Sequence, residues 1–513
     1  MIRQGWWHAA VLPAAIVVPL AGGVAVFGGF RPAAVQFAVL VAGAAAVALP
    51  SVVARVRRTS SEVVVAAAAA AVLGSCFAVR GVVAGNPWSG LPGLGLGLAV
   101  SFFVVTVHLV PPVGRRRVET GLLWVGAVAA LTGWAGVLWR LWPLAVADQG
   151  LWRASGPLGY PNALAALVVP LALVAAGRLL AAGRAGQAPA RTDAVLLTLL
   201  VMGALGSLSR GGAFAAVVGV VLLLAIARPW DGLVVLSVPL AAGCLAGLAV
   251  VPSLSEYGQA SPLVAVAGLA TAVALALAAS VGAVAARASR SAAIAVAGAG
   301  LAVAAGLVAA VPGAAALLGS VVATRGSLSS SWRVDQHRAA WEVVASRPLT
   351  GAGPGAVPLE WTTADGTVLR ARYVHDEYVQ VLAEVGAVGG VLLVAVLAAL
   401  AAVAIRGIRG ARTAADGATA AAAVAGAGAA FAVHSAFDFL WHLPALPLVV
   451  VTLLACHSRP PKATRPDSEP DSERDSEVDE SSGADRPEPR VSSTSLTSGV
   501  GREGAPTLPR RPR

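Results

Sequence analysis

Residues 380–405 have the sequence QVLAEVGAVGGVLLVAVLAALAAVAI, in which every residue except Gln380 and Glu384 is aliphatic or glycine. A helical run of about 20 apolar residues crosses the hydrocarbon core of a bilayer, which is about 30 Å thick. Backbone N–H and C=O groups find no water in that core, so a helix that satisfies them internally is the expected structure. The run therefore predicts a transmembrane helix.

The composition of the whole chain agrees with this interpretation. Of the 513 residues, 57% are hydrophobic and 12% are charged, and the mean hydropathy is +0.77. Soluble globular proteins carry about 25% charged residues. The net charge of +11 reflects positive residues scattered through the short loops between apolar runs. Membrane topology explains that distribution better than nucleic-acid binding does.

Similar apolar runs recur almost from end to end, and they do not resemble the short alternating segments of a membrane β-barrel. We therefore predict an all-α fold, a polytopic transmembrane bundle of 12–14 helices. The range arises because the two runs flanking Arg210 are short enough to form one broken element. The candidate runs lie near residues 8–30, 32–54, 62–80, 91–113, 118–143, 160–183, 194–208, 211–227, 232–252, 262–286, 292–323, 380–405, 415–435 and 442–456.

The arginines between these runs predict the topology. With a cytoplasmic N-terminus and fourteen helices, one set of loops holds fifteen arginines and the opposite short loops hold four. The positive-inside rule then places both termini in the cytoplasm, in a multi-pass protein of the cytoplasmic membrane. The fifteen are Arg3, Arg55, Arg57, Arg58, Arg115, Arg116, Arg117, Arg184, Arg191, Arg228, Arg287, Arg290, Arg406, Arg409 and Arg412, and the four are Arg31, Arg80, Arg153 and Arg210.

Two polar segments interrupt the apolar pattern. Residues 1–456 are predicted to form the membrane domain, and its long loop at about 324–379 falls on the outer side in this topology. Residues 457–513 are rich in Pro, Ser, Asp and Glu and have almost no large apolar side chains. Such a segment cannot bury a core, so we predict a disordered cytoplasmic tail.

Three stretches of the predicted outer face carry polar residues that aliphatic helices do not need. The first is residues 148–162, DQGLWRASGPLGYPN, and the second is residues 207–212, SLSRGG. The arginine of the second stretch, Arg210, is costly unless it faces water, an anion or a protein cavity. The third is residues 331–347, SWRVDQHRAAWEVVASR, which has a helical pattern with an apolar side. A helix lying on the membrane surface and a substrate-facing helix both fit this pattern.

The long loop ends in a dense cluster of ionisable residues. His375 is the member whose ordinary pKa, about 6.5, permits proton exchange near neutral pH. Interfacial anchoring accounts for Tyr and Arg at this position, but it does not account for a His-Asp-Glu run, which favours a functional role. The cluster comprises Arg370, Arg372, Tyr373, His375, Asp376, Glu377, Tyr378 and, as the next helix begins, Glu384.

A second histidine and carboxylate lie in the outer turn before the last predicted helix. His434 and Asp438 are four residues apart, so they share a face if the helix extends that far. Two ligands are too few for a metal site. We therefore predict a hydrogen-bonded His434–Asp438 pair.

In combination, the outer motifs resemble the O-antigen ligase and polysaccharide polymerase family of bacterial membrane glycosyltransferases. The resemblance covers residues 159–390 and depends on the order of its motifs. They are Gly159-Tyr160-Pro161-Asn162 opening a helix, Ser209-Arg210-Gly211, Arg333 with Trp341 before Pro348-Leu349-Thr350-Gly351-Ala352-Gly353-Pro354-Gly355, and His375-Asp376-Glu377-Tyr378 before Glu384-Val385-Gly386 and Gly389.

The resemblance implies an inverting, metal-independent glycosyltransferase of cell-surface polysaccharide biosynthesis. It would move a glycan from a polyprenyl (undecaprenyl) diphosphate carrier to a hydroxyl of a glycan, lipid or protein acceptor at the outer face, among membrane lipids and with no cofactor. His375 is implied as the general base, and Arg210, Arg333 and Arg372 as ligands of the diphosphate. The implied supporting residues are Asn162, Asp376, Tyr378, Glu384, His434 and Asp438.

Asp376 departs from the family pattern, which usually has Asn there, and we expect its charge to raise the pKa of His375. Three alternatives remain open. A repeat-unit polymerase shares the same motifs. A transporter or flippase of lipid-linked sugars shares the helix count, although such proteins usually carry ionisable residues at the midplane and often contain internal repeats. A scaffold would use the outer cluster to bind a partner.

Overall fold

A computed structural model describes residues 10–29, 34–55, 59–187, 190–228, 233–285, 331–357, 359–362, 366–411 and 415–458, with four isolated positions between 302 and 319. Over these residues the chain forms fourteen α-helices. They are α1 (Leu12–Ala25), α2 (Ala34–Arg55), α3 (Ser61–Val83), α4 (Leu91–Leu109), α5 (Pro112–Trp139), α6 (Pro161–Arg184), α7 (Arg191–Gly206), α8 (Arg210–Ala227), α9 (Val234–Ala249), α10 (Pro262–Ala285), α11 (Ser331–Ser346), α12 (Glu377–Ala411), α13 (Ala415–Ser435) and α14 (Ala445–Cys456).

The predicted all-α polytopic fold is confirmed. Among the described residues, nine helices are long and apolar enough to cross a membrane, namely α2–α6, α8, α9, α12 and α13. Thirteen of the fourteen predicted runs coincide with helices. The run at 292–323 and the tail beyond residue 458 lie outside the described residues. The chain is a multi-pass membrane protein.

Helix α6 lies at the centre of the bundle, and 89% of the residues in its apolar stretch are buried. It packs against α5, α7, α8 and α13. Small residues allow these backbones to approach closely, as is common between membrane helices. A Cβ added at Gly219 of α8 would lie 2.9 Å from the Gly426 carbonyl oxygen of α13, and one at Gly177 of α6 would overlap Ala423.

The two runs flanking Arg210 are separate helices, which resolves the alternative of one broken element in favour of two. Residues 207–209 form the turn between them, and Leu208 adopts a left-handed φ of 51°. Helix α7 packs on α5, α6, α9 and α10, whereas α8 packs on α6 and α13. The turn therefore places Arg210 at the start of a new helix beside α6.

Within the described ranges, two short antiparallel hairpins, which the sequence did not predict, lie between the helices. In the first, β1 (Ala145–Asp148) pairs with β2 (Leu151–Ala154) across Gln149 and Gly150, which both have positive φ. Two central residues with positive φ form a tight turn whose backbone twist matches the right-handed twist of the paired strands. In the second, β3 (Leu359–Thr362) pairs with β4 (Val368–Ala371) within the long loop. That loop therefore contains a hairpin as well as the predicted helix, α11.

Helix α12 is interrupted at Gly386, whose φ of 69° and ψ of −166° are accessible in practice to glycine alone. The turn at residues 348–355 packs into this interruption. Ala352 N donates to Ala383 O at 2.7 Å, and Ala387 N donates to Pro348 O at 2.8 Å. The glycine-rich turn thus packs against the Glu384-Val385-Gly386 motif, which follows it by about 30 residues in the sequence.

Candidate functional site

Residues from distant parts of the chain line one cavity of about 110 Å³, which we call the arginine cavity. Its walls come from the first hairpin, the start of α6, the turn before α8, helix α11 and the end of α13. The cavity brings together Arg210 and Arg333, two of the three predicted diphosphate ligands. The lining residues are Asp148, Gln149, Arg153, Asn162, Leu208, Arg210, Gly211, Arg333, His434 and Phe437.

Arg210 is the first residue of α8. The Oγ of Ser209 accepts a hydrogen bond from Gly212 N at 3.1 Å and so caps the helix. The N-terminal end of a helix carries a partial positive charge. Because Arg210 and Gly211 both line the cavity, that partial charge adds to the charge of the guanidinium.

Helix α11 contributes Arg333, whose Nη1 donates to Phe437 O at 3.3 Å. The same helix exposes Val334 and Trp341, each about half accessible. Helix α11 therefore contributes Arg333 to the cavity and also carries exposed apolar side chains.

Arg153 is the buried guanidinium of this cavity that sequence reasoning missed. Its Nη1 bonds Asp148 Oδ2 at 2.8 Å, its Nη2 donates to Asn162 Oδ1 at 2.9 Å, and its Nε donates to Ser207 O at 3.0 Å. It thereby joins β1, the start of α6 and the turn before α8. The available signal was the pair of opposite charges, Asp148 and Arg153, in the otherwise uncharged stretch 148–162.

Asp438 binds the other side of Asn162. Its Oδ2 accepts from Asn162 Nδ2 at 2.6 Å and from the Tyr160 hydroxyl at 2.5 Å, and its Oδ1 accepts from Phe439 N at 2.9 Å. The predicted His434–Asp438 hydrogen bond is not formed, because α13 ends at Ser435 and Asp438 lies beyond the helix. Burial, then the neighbouring carboxylate of Asp438, raises the pKa of Tyr160 well above its usual value, so this phenol remains a donor.

His375 lies in the segment before α12 and is not among the residues lining the arginine cavity. Its ring packs edge-on against Phe439, with centroids 5.2 Å apart. Phe439 also stacks on Tyr160 at 5.6 Å, so this one aromatic ring contacts both His375 and a residue that binds Asp438. Burial lowers the pKa of His375 below its usual 6.5, although the charge of Asp438 opposes this effect.

The prediction that Asp376 raises the pKa of His375 was wrong. The pKa of His375 is lowered, and Asp376 Oδ1 accepts from Tyr378 N at 2.9 Å and Val379 N at 3.2 Å. These are the hydrogen bonds of a helix N-cap, a position that Asn and Asp fill about equally well. The departure from the family pattern therefore preserves the cap of α12.

The remaining predicted residues lie around this centre. Arg372 is exposed and sits 5.3 Å above the Tyr373 ring, outside the lining of the arginine cavity. The Tyr378 hydroxyl donates to Ala432 O at 2.6 Å, tying α12 to α13. Glu384 is buried, and its Oε1 accepts from Gly355 N at 3.0 Å and from Gln380.

An ion pair holds the segment after Phe439. His442 Nδ1 lies 3.2 Å from Glu377 Oε1, and Trp441 N donates to Glu377 Oε2 at 3.0 Å. Burial lowers the pKa of His442, but the adjacent Glu377 carboxylate outweighs this and raises it above its usual value. Across the described ranges, no group of three or more His, Cys, Asp or Glu side chains is arranged to hold a metal ion.

No protein-family model matches the sequence, and no curated protein matches it significantly. The site is therefore defined by its own geometry. It consists of a cavity with three arginines, a buried network around Asp438, and a histidine held on the edge of Phe439.

Proposed function

We propose that this protein transfers a glycan from a polyprenyl diphosphate carrier to an acceptor hydroxyl at the outer face of the cytoplasmic membrane. The observation that carries the proposal is the charge of the arginine cavity. Among the described residues, its lining contains Arg153, Arg210 and Arg333 but a single carboxylate, Asp148. Cations in a confined space favour an anionic ligand, and guanidinium groups bind phosphate oxygens in pairs.

The arginines would stabilise the leaving group. As the bond between the anomeric carbon and the diphosphate oxygen breaks, negative charge develops on the diphosphate. Arg210 and Arg333 approach the cavity from different elements, so they can hold the two phosphates from two sides. A pocket of about 110 Å³ suits the diphosphate, while the glycan and the lipid chain lie outside it.

His375 would act as the base. It removes the proton of the acceptor hydroxyl as the acceptor oxygen attacks the anomeric carbon, in a single displacement with inversion. A base must be neutral before it accepts a proton, and burial keeps the pKa of His375 below 6.5. General base catalysis of this kind contributes roughly 10²- to 10⁴-fold in rate.

The test is glycan transfer by purified protein in liposomes, with a labelled polyprenyl diphosphate glycan and a chelator present. We expect His375→Ala and Arg210→Ala to abolish transfer while the protein remains inserted and expressed. Arg370→Ala is the matched control, because Arg370 is an exposed loop arginine paired with Glu360. Full activity in both site variants would refute the assignment.

Lysine variants separate catalysis from a scaffold function. A partner bound on a solvated surface accepts lysine in place of arginine with little loss, whereas paired contacts to phosphate do not. We therefore expect Arg210→Lys and Arg333→Lys to lose most of the transfer activity. Product length distinguishes the two enzymatic alternatives, since a polymerase extends its product repeatedly and a ligase acts once.

A further inference from the structure

Gln336 makes two hydrogen-bond contacts to His375. Its side chain is completely buried on α11. Its Oε1 lies 3.0 Å from His375 Nδ1 and accepts from His375 N at 3.1 Å. Its Nε2 donates to Tyr373 O at 2.8 Å, which fixes the orientation of the amide.

This geometry determines which ring nitrogen carries the proton. An amide oxygen can only accept, so Nδ1 of His375 must be the donor. In the neutral ring the lone pair is then on Nε2. The charged and titratable groups that act on the ring are Asp438, from the segment before α14, and Arg333 and His337 from α11.

We propose that Gln336 is a positioning residue that holds His375 in the Nδ1–H tautomer, with Nε2 as the base. The inference rests on the proposed role of His375. Gln336 contacts the ring from the side of α11, the helix that also supplies Arg333 to the arginine cavity. One helix thus orients the base and contributes a cation for the leaving group.

Two variants of Gln336 give opposite expectations. Gln336→Met keeps the length of the side chain but cannot accept the Nδ1 proton, so kcat should fall by about 100-fold, the usual cost of a misplaced catalytic group, with KM changed by less than about threefold. Gln336→Glu keeps the acceptor and places a negative charge beside the ring. Its acidic limb in the pH–rate profile should move up by about one pH unit or more.

The chain supplies a matched control in Gln380. This glutamine is also completely buried, and it holds the same segment, since its Oε1 accepts from Val374 N at 2.7 Å. Its Nε2 donates to Glu384 rather than to His375. Gln380→Met should therefore cost stability without moving the titration of the His375 ring.

Carbethoxylation of His375 by diethyl pyrocarbonate, followed by peptide mass spectrometry across a pH series, reads that titration without any substrate. The reagent attacks the neutral ring, so the midpoint reports the pKa of His375 in the full-length protein. We expect a higher midpoint in Gln336→Glu than in the wild type and an unchanged midpoint in Gln380→Met.

The outcomes separate this inference from the proposed function. An unchanged midpoint in Gln336→Glu, or wild-type kcat in Gln336→Met, would overturn the positioning role. A shifted midpoint in a protein that transfers no glycan would support the contact between Gln336 and His375 and remove the proposed reaction. A shift of the same size in Gln380→Met would also overturn the inference, because the effect would then belong to the whole segment.

Discussion

Gly386→Ala should detach the turn at residues 348–355 from α12. The backbone at Gly386 has φ 69° and ψ −166°, a conformation that costs a residue with a Cβ about 1–3 kcal/mol. An added Cβ would overlap the Leu349 carbonyl and lie 2.5 Å from Thr350 N. Both neighbours are backbone, so they cannot rotate away as the end of a side chain can.

The size of the effect follows from the hydrogen bonds that must shift. Ala352 N donates to Ala383 O and Gly353 N donates to Glu384 O across the interruption, and each such bond contributes about 1 kcal/mol net. Together with the backbone strain, we expect the docked turn to lose at least about 3 kcal/mol. At 1.4 kcal/mol per factor of ten, opening becomes about 100-fold more frequent.

Amide hydrogen exchange in detergent, followed by mass spectrometry of peptides within residues 348–357, measures this opening directly. Gly95→Ala in α4 is the matched control, because a Cβ there meets nothing within 4 Å. It should leave exchange in the turn unchanged and stabilise its helix by about 0.5–1 kcal/mol. Exchange in Gly386→Ala within about threefold of the wild-type rate would refute the reasoning.

Three further changes probe the network around the cavity. Tyr160→Phe removes a donor to the buried Asp438 and should cost about 1–3 kcal/mol, seen as a lower Tm; an unchanged Tm would contradict this. In Arg153→Lys, the lysine ammonium lacks the planar guanidinium that bonds three partners at fixed angles. The Tm of this variant should therefore fall further than the Tm of Arg370→Lys, a change on the exposed surface. The pKa of His442 is raised by Glu377, so the ion pair between them stabilises the folded protein only while His442 is protonated. That contribution to the free energy of unfolding is complete below pH 6.5 and is lost as the pH rises through the folded-state pKa. The Tm difference between the wild type and His442→Gln should therefore shrink with rising pH, and a constant difference would rule out this ion pair as its source.

The helical part of the fold could be predicted because it depends on local composition. A run such as residues 380–405 has to span the bilayer as a helix, whatever its neighbours are. The four-residue strands of the two hairpins carry no comparable signal, because so short a segment shows too little alternation to be distinguished from a loop. Gly386 was noticed as part of a motif, but its left-handed conformation depends on the turn that packs against it.

The residues of the candidate site were likewise predicted where they stand out in the local sequence and missed where their role depends on packing. The polar residues of the outer motifs stand out against an aliphatic background, and two of them, Arg210 and Arg333, do share a cavity. The sign of the pKa shift of His375 was predicted wrongly because the sequence shows its neighbour Asp376 but not its burial beside Phe439. Gln336 was overlooked because a glutamine on an amphipathic helix is ordinarily a solvated residue, and nothing local indicates that it is buried.

The plain Ala and Gly composition of the central helices sets the dimensions of the site. Asn162, Arg210 and His434 stand at the ends of α6, α8 and α13, and these three helices touch through small residues such as Gly219 and Gly426. Because the backbones are in contact there, a larger side chain at either glycine would push α8 away from α13 and widen the cavity. Arg210 is nine residues from Gly219, about 13 Å along a rigid helix, so a displacement at the contact is carried to the guanidinium. The apolar helices therefore do more than anchor the chain in lipid, since their closest contacts determine where Arg210 lies relative to Asn162 and His434.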